Sequence, residues 1–400
     1  MKIVQINAVC GISSTGRTSL ELSRYLNTQN IENYIIYANG YSDYENAIRM
    51  NSDFDIKVHS LLSRITGKQG YFSKEHTKKI ISKLELIKPD IVHLRNLHGN
   101  YIHLNMLLQY LAKNDIPTVI TLHDCWFFTG KCVYYSIAQC YRWQNGCGHC
   151  PQLNKGNKSW FFDRTKKMWK DKKEHFEAIP RLGVIGVSDW VTDEAKKSFL
   201  KNAKIMKRIY NWIDLDIFYP HDSEIKQKLG IKEKYVILGV ADSLSNDKGL
   251  SDFNTLAEML NDDYKIVLVG RKVIPINDKI LHINRTNDVN MLSDIYAMAD
   301  VFFNPTKRET FGKVTAEALA CGTPVVAYDT TACPELVGEN CGYIEELGDI
   351  KSAYKDIVNI ATNSEIDKMR ETCRQFSVDN FNKDIILKDM VKVYYDLLNE

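Results

Sequence analysis

The feature that most constrains this chain is an alternation, run through twice, of short β-branched runs and longer amphipathic stretches. The first series of runs is "KIVQIN", "NYIIYA", "DIVHL", "PTVITL" and "GVIGV". The second is "YVILGVA", "YKIVLVG", "ILHI", "DVFFN" and "PVVAY". Helical patterns such as "TSLELSRYLNTQ", "LSDFNTLAEMLN" and "VNMLSDIYAMA" lie between them. Strands read as continuous apolar runs when both faces are buried, and intervening helices supply the crossovers a parallel sheet requires. At 400 residues the chain also exceeds one ordinary core. The expected class is therefore α/β, with two doubly wound units in succession. The joint is expected at "RIYNWIDLDIFYPHD", residues 208–222, giving domains 1–208 and 209–378. A strongly amphipathic terminal segment, 379–400, is expected to cross back and brace the first domain. Ligands bind beyond the carboxyl ends of strands in such sheets, so an active site is expected in a cleft between two facing domains.

Charge and composition exclude several classes. No apolar run approaches the ~18 residues of a membrane span. "MKIVQINAVCGISS" reads as an opening strand rather than a signal peptide, and ten cysteines then imply a reducing, cytoplasmic setting. The net charge of +2 hides an asymmetry: residues 151–208 hold 15 Lys/Arg against 7 Asp/Glu. Within that stretch "SWFFDRTKKMWKDKKEHF" interleaves Trp160, Phe161, Phe162, Met168 and Trp169 with basic residues. Such a surface suits anionic lipid headgroups or a phosphorylated acceptor, against the plainer reading of a solvated helix face. No nucleic-acid module is present, so nucleic acid is not expected as a partner.

The chemistry-bearing residues sit at strand ends. After the first strand, "NAVCGISSTGRTSLELS" brings Gly11 and Gly16 before a helix expected near Thr18. Glycine there lets backbone approach an anion at a helix N-terminus. The spacing is not G-x-G-x-x-G, and no acidic residue closes the next strand, which disfavours a nicotinamide cofactor. "DIVHLRNLHG" and "VITLHDCWFFTG" place His93, Asn96, His98, His123 and Asp124 at two further strand ends, together resembling the lining of an acceptor site. In "VADSLSNDKGLSDF" a strand is expected to end at Ala241, and Lys248-Gly249 opens a helix with a charge suited to a diphosphate.

In "KRETFGKVTAEALACGTPVVAYD" a helix is expected from Phe311-Gly312 to Cys321-Gly322. The free N–H groups of Phe311, Gly312 and Lys313 would point at an anion. Glu309 precedes the helix, and Glu317 lies about two turns in, too deep to gain much from the helix dipole. A carboxylate there could instead accept both hydroxyls of a ribose. Finally, Cys132, Cys140, Cys147 and Cys150 are spaced C-x7-C-x6-C-x2-C inside an insertion spanning 125–151. A structural zinc site is the first reading of that cluster, with a disulfide or redox pair and unligated thiols as alternatives.

The Glu309/Glu317 pair with its Thr310-Phe311-Gly312 turn, Lys248-Gly249, the glycine loop and "NWIDLDIF" together resemble retaining glycosyltransferases of family 4. "DIVHLRNLHG", "LHDCWFFTGKC" and "GCGHCP" are similar to the branch that builds capsule, exopolysaccharide or O-antigen, including colanic-acid transferases. The resemblance implies a GT-B fold of two Rossmann-like domains, a UDP- or GDP-sugar donor and a polyprenyl-diphosphate-linked saccharide acceptor. It also implies no catalytic metal, and a place at the inner face of the cytoplasmic membrane. By the same resemblance Glu317 binds the donor ribose, Glu309 the donor sugar, and Lys248 with the 310–313 turn the diphosphate. His123 would sit beside the sugar, and Gly11 and Gly16 would face the diphosphate and acceptor. The family usually has an arginine five or six residues before its lysine, where this chain has Ser243 and Asp242; Arg271, Arg17 or Lys313 are the candidates to replace it. Two alternatives stand beside this expectation. One is another GT-B enzyme, such as a nucleotide-sugar epimerase or sugar-phosphate synthase; the other is a non-catalytic, zinc-stapled scaffold.

Overall fold

Two wholly parallel sheets carry the chain in the computed structural model, which describes all 400 residues. The first contains β1 (Lys2–Cys10), β2 (Glu32–Gly40), β3 (Ala47–Arg49), β4 (Ile91–Leu94), β5 (Thr118–Leu122), β6 (Leu182–Gly186) and β7 (Ile205–Arg208). The second contains β8 (Tyr235–Leu244), β9 (Tyr264–Lys272), β10 (Leu281–Ile283), β11 (Val301–Asn304), β12 (Val325–Tyr328) and β13 (Gly342–Glu345). The helices of the first half are α1 (Ser13–Thr28), α2 (Asp53–Thr66), α3 (Lys74–Ile87), α4 (Leu104–Lys113), α5 (Thr165–Glu177) and α6 (Asp189–Lys196). Those of the second are α7 (Ile225–Lys228), α8 (Leu250–Met259), α9 (Val289–Ala297), α10 (Lys313–Ala320), α11 (Ile350–Ala361), α12 (Ile366–Phe381) and α13 (Lys383–Leu398). No helix is long and apolar enough to cross a membrane. One unit comprises Met1–Ile209 with Leu387–Glu400, and the other Tyr210–Ile386.

The strand orders are β3-β2-β1-β4-β5-β6-β7 and β10-β9-β8-β11-β12-β13. Each order reverses direction once, between β1 and β4 and between β8 and β11. Loops leaving the carboxyl ends diverge at such a reversal, and that opening is where doubly wound sheets bind ligands. The central strands are apolar on both faces: Ile3, Val4, Ile6, Val236, Ile237 and Leu238 are all fully buried. The ten strands expected from apolar runs are all present. Three more, β3, β7 and β13, lie at or beside sheet edges and carry only half-buried or exposed residues, so they lack the continuous run that announces a central strand. β1 extends to Cys10 and β8 to Leu244, three residues past their expected ends.

The first helix begins at Ser13, five residues earlier than expected, because its opening "SSTGR" is polar and no side chain caps it. Gly16 therefore lies inside α1. A Cβ there would come within 3.3 Å of the Cys10 backbone, so this glycine lets the helix approach β1 closely.

Two imidazoles, His93 and His59, are enclosed in the first unit, and a third, His123, is half-buried. His93 is in β4, with Nδ1 bonded to the Tyr394 hydroxyl at 2.8 Å and Nε2 to the Thr121 hydroxyl at 2.7 Å. Burial drives its pKa, and that of His123, well below the ordinary 6.5. Burial likewise lowers His59 to about 3, with nearby His103 adding to the effect. The linkage sign follows. Below pH 6.5 the unfolded chain binds protons that the native state refuses, so stability present at neutral pH is lost as pH falls. Urea unfolding between pH 7 and 5.5 should show the folding free energy dropping, by at most about 1.4 kcal/mol per pH unit for each imidazole. A flat profile would mean that these rings take up protons in the native state as readily as in the unfolded chain.

Candidate functional site

The carboxyl ends of β8 and β11 are adjacent in the second sheet, with Ile237 and Leu238 in register with Val301 and Phe302. The loops that leave them are stitched together. The Lys307 N–H donates to the Asp247 carbonyl at 3.0 Å, and the Arg308 guanidinium meets the Asp247 carboxylate at 2.8 Å. Gly249, at φ +77°, rests on Pro305: an added Cβ would lie 2.4 Å from both the Pro305 ring and its carbonyl oxygen. That contact sets Lys248 directly opposite Glu309, and the ammonium donates to the Glu309 carboxylate. Both side chains keep part of their surface open to solvent. The Glu309 backbone is fixed from the other side, its N–H donating to the Thr331 hydroxyl at 2.7 Å.

From Glu309 the chain turns into α10. Thr310 and Phe311 are buried, and the Phe311 ring packs between Tyr210 and Phe381 with centroids 5.7 and 5.6 Å away. Gly312 is the N-cap in the left-handed region, φ +93°, and Lys313 is the first helical residue. The amides of a helix's first turn have no partner within the helix, so the start of α10 presents donors beside the Lys248–Glu309 pair. Glu317 lies one turn into the helix, not two, and is 6% exposed. Its Oε2 accepts from the buried Tyr296 hydroxyl at 3.1 Å, while Oε1 lies 4.0 Å from the Lys313 ammonium. Burial, then the Glu317 charge, raises the Tyr296 pKa, so the phenol stays a donor.

Of the three candidate cations, Arg271 is the one on the strand that pairs with position 243. It pairs in register with Ser243, but its guanidinium is held at 3.0 Å by Asp242, which also binds Arg285 at 2.9 Å. Arg308 and Tyr296 were not among the expected site residues. Only their spacing from the strand end or helix marks them, and many residues share that property.

In the first unit the strand ends converge on Arg95, which is fully buried. Its guanidinium donates to Gln5 at 3.2 Å, Thr18 at 2.8 Å and His123 Nε2 at 3.2 Å. A guanidinium only donates, so His123 must present a lone pair there and carry its proton on Nδ1. Nearby, His98 Nε2 meets the Asp124 carboxylate at 2.8 Å, and the Asn96 side-chain oxygen accepts the His98 N–H at 3.3 Å. His98, Asp124, Asn96 and His123 are thus brought together. His93 is not: it is enclosed in the sheet with both nitrogens engaged, and lines no surface. Gly11 has its own structural reason, since a Cβ there would lie 2.2 Å from the Tyr41 carbonyl oxygen.

The four clustered cysteines line one small cavity with Tyr135 and Trp143, yet no three His, Cys, Asp or Glu groups are arranged to hold a metal ion. Three of the four thiols are engaged locally: Cys132 donates to Cys150, and Cys147 accepts the Gly130 N–H at 3.2 Å. The Cys132 bond lowers Cys150 to about 7. The basic segment after this cluster is mixed. Met168 is buried and the Trp169 indole donates to the Trp143 carbonyl at 2.7 Å, whereas Trp160, Phe161 and Phe162 face solvent.

The seam between the two loops of the second unit is open to a direct check. Gly249→Ala would force the loops apart and add left-handed strain, and should cost about 2–4 kcal/mol in urea unfolding. Gly230 has similar φ, +68°, with nothing within 4 Å, so Gly230→Ala should cost only about 1 kcal/mol. Equal losses would show that Pro305 contact is not what positions Lys248.

Comparison with known proteins bears on what such a site belongs to. Residues 15–217 match the family described as Glycosyltransferase Family 4, and residues 221–377 match Glycosyl transferases group 1. The chain is 22% identical over 367 residues to the putative colanic acid biosynthesis glycosyl transferase WcaC of Escherichia coli, covering 86% of each. It is 26% identical over 233 residues to N-acetyl-alpha-D-glucosaminyl L-malate synthase of Bacillus anthracis, covering 54% of this chain but only 60% of that protein. Among solved structures, Anabaena HepE in complex with UDP-glucose superposes with a TM-score of 0.68 at 15% identity, covering 99% of this chain and 100% of that one. The fold is that of the GT-B glycosyltransferases. One match over residues 15–217 and another over 221–377, which includes the helix behind Glu309, lead to one assignment: the chain belongs to glycosyltransferase family 4.

Proposed function

We propose that this glycosyltransferase moves a sugar from a nucleoside diphosphate sugar to a hydroxyl of a lipid-linked saccharide during surface polysaccharide assembly, with the anomeric configuration retained. The observation that carries the reading is the Lys248–Glu309 pair beside the amide-rich start of α10, with Glu317 one turn further on. HepE, of the same fold, is described in complex with UDP-glucose, and the WcaC relative is named for colanic acid biosynthesis.

The chemical difficulty is parting a diphosphate from an electron-poor anomeric carbon. An arriving phosphate competes with Glu309 for the Lys248 ammonium and collects the amides of residues 311–313. Donors fixed in advance where charge develops are the largest usual source of such stabilisation. Glu317, steadied by Tyr296, takes the ribose hydroxyls, and Glu309, displaced from Lys248, turns to the hydroxyls of the sugar. With the leaving charge held, the acceptor oxygen attacks from the same face and a phosphate oxygen removes its proton. No protein nucleophile is assigned. In the first unit, His98 with Asp124, Asn96 and His123 forms the acceptor-side lining.

A second reading has one observation behind it. The Bacillus anthracis relative carries L-malate, a small acid, in its name. Under that reading the donor chemistry is unchanged and the acceptor is soluble. Transfer assays with purified lipid-linked saccharide and with free hydroxy acids separate the two. Lys248→Ala and Glu309→Ala should each lower donor turnover by roughly 10²–10³-fold, the scale of losing one preorganised charge partner. Turnover within twofold of wild type in both variants would remove this site from the reaction.

A further inference from the structure

Two buried cations lie beside the cysteine cluster. Lys131 and Lys172 are 4% and 2% exposed. Each ammonium rests on carbonyl oxygens instead of a carboxylate: Lys131 on those of Leu153, Lys155 and Asn157, Lys172 on those of Trp126 and Thr129. Burying a cation is costly unless an opposite charge lies near. The carboxylates in the neighbourhood are committed elsewhere. Asp163 accepts the Cys150 N–H and the Thr165 hydroxyl, each at 2.6 Å, and Asp124 accepts the Trp126 N–H and meets His98. The other groups there that can carry negative charge are thiols, Cys132 and Cys150 beside Lys131, and Cys132 and Cys147 beside Lys172.

The local backbone gathers these thiols. Cys147 and Cys150 bracket a turn through Gly148 and His149, at φ +141° and +49°, and the Arg142 guanidinium holds both carbonyls of that turn. A non-glycine residue at positive φ is uncommon and marks a turn fixed by its surroundings. N–H groups point at sulfur: the Gly130 amide reaches Cys147 at 3.2 Å, and the Gln152 side chain reaches Cys132 at 3.7 Å. Such bonds favour a thiolate and are the outer contacts of a metal-bound ligand. All four cysteines line one cavity of about 20 Å³, room for a single small guest. As neutral thiols they pair off, Cys132 on Cys150, and so do not meet at one point. A cation that takes their protons supplies the common centre.

Charge decides which guest fits. Four thiolates around a divalent cation leave two negative charges, which two buried ammonium groups cancel. Disulfides would be neutral and leave both lysines uncompensated. Lys172 also ties the cluster to the next wall. Its ammonium lies 3.5 Å from the centre of the Trp126 ring, which stands 5.9 Å from the His98 ring, and the Trp126 N–H is on Asp124 at 2.8 Å.

We propose that Cys132, Cys140, Cys147 and Cys150 bind one zinc ion as thiolates, with Lys131 and Lys172 as its buried counter-charges, and that this closed site fixes the wall behind His98 and Asp124. Four S–H bonds break, four Zn–S bonds form and four protons pass to solvent, with no change of oxidation state. Sulfur fills every position on the ion, so its part is structural. The metal site stands apart from the donor chemistry; only the acceptor role of the wall rests on the preceding reading.

The full chain, expressed with zinc in the medium, tests it. Elemental analysis after dialysis should return one zinc per chain, and cobalt exchanged into the site should show thiolate-to-cobalt charge-transfer and tetrahedral d–d bands. Cys147→Ser with Cys150→Ser should lose the metal, whereas Cys10→Ser should keep it. Lys172→Met leaves every thiol in place and should weaken zinc binding at least tenfold in competition with a chelator, the scale of losing an outer-shell partner. It decides the matter where the double cysteine variant does not fold. Zinc removal should also move the NMR signal of the Trp126 indole and leave that of Trp212, in the second unit, in place. No stoichiometric zinc, another metal in its place, a Cys132–Cys150 disulfide in the isolated protein, full zinc in the double variant, unweakened binding in Lys172→Met, or an unmoved Trp126 signal would each overturn the proposal. Protein that holds zinc yet turns over no donor would instead count against the transferase reading alone.

Discussion

The candidate site depends on two loops being held at one separation. They leave β8 and β11, strands that are neighbours because the second sheet reverses its order there. Gly249 against Pro305 sets the distance, and Asp247 ties the loops by backbone and side chain. Lys248 and Glu309 are what that distance brings together. As a partly exposed ion pair they add little to stability, on the order of 0–1 kcal/mol. Their worth is chemical: each keeps the other aimed until an anion with better donors at hand draws Lys248 away.

The first unit solves a related problem with a buried cation. Arg95 has no carboxylate bonded to it, and burial lowers even its guanidinium to about 10. It is held by neutral acceptors from β1, α1 and the end of β5: Gln5, Thr18 and His123. Burying such a charge is costly unless its donors are met; here both terminal nitrogens are met, while Nε has no partner. The arrangement therefore ties the polar ends of three elements into one network and fixes the tautomer of His123. An imidazole left to solvent would have neither constraint.

Much of this was legible in the sequence because central parallel strands must be apolar on both faces. The ten expected strands follow from that rule, and the positions of Lys248, Glu309 and the α10 turn follow from counting past strand ends. What the sequence hid was decided by long-range packing. "IMKR" and "GYIE" become strands only because a neighbour supplies the hydrogen bonds. His93 looks like a site residue in "DIVHLRNLHG", but alternation turns it toward Tyr394, 301 positions away. The cysteine spacing reads as a zinc clamp, but that the fold brings all four thiols around one cavity is visible only in the structure.

The central claim is that a nucleoside diphosphate lodges at the start of α10 and takes Lys248 from Glu309. A crystal structure with UDP or GDP tests it most directly. The account predicts the distal phosphate on the Lys248 ammonium and the amides of residues 311–313, the ribose hydroxyls on Glu317, and the Lys248–Glu309 bond broken. Diphosphate bound away from α10, or bound there with Lys248 still paired to Glu309, would contradict it.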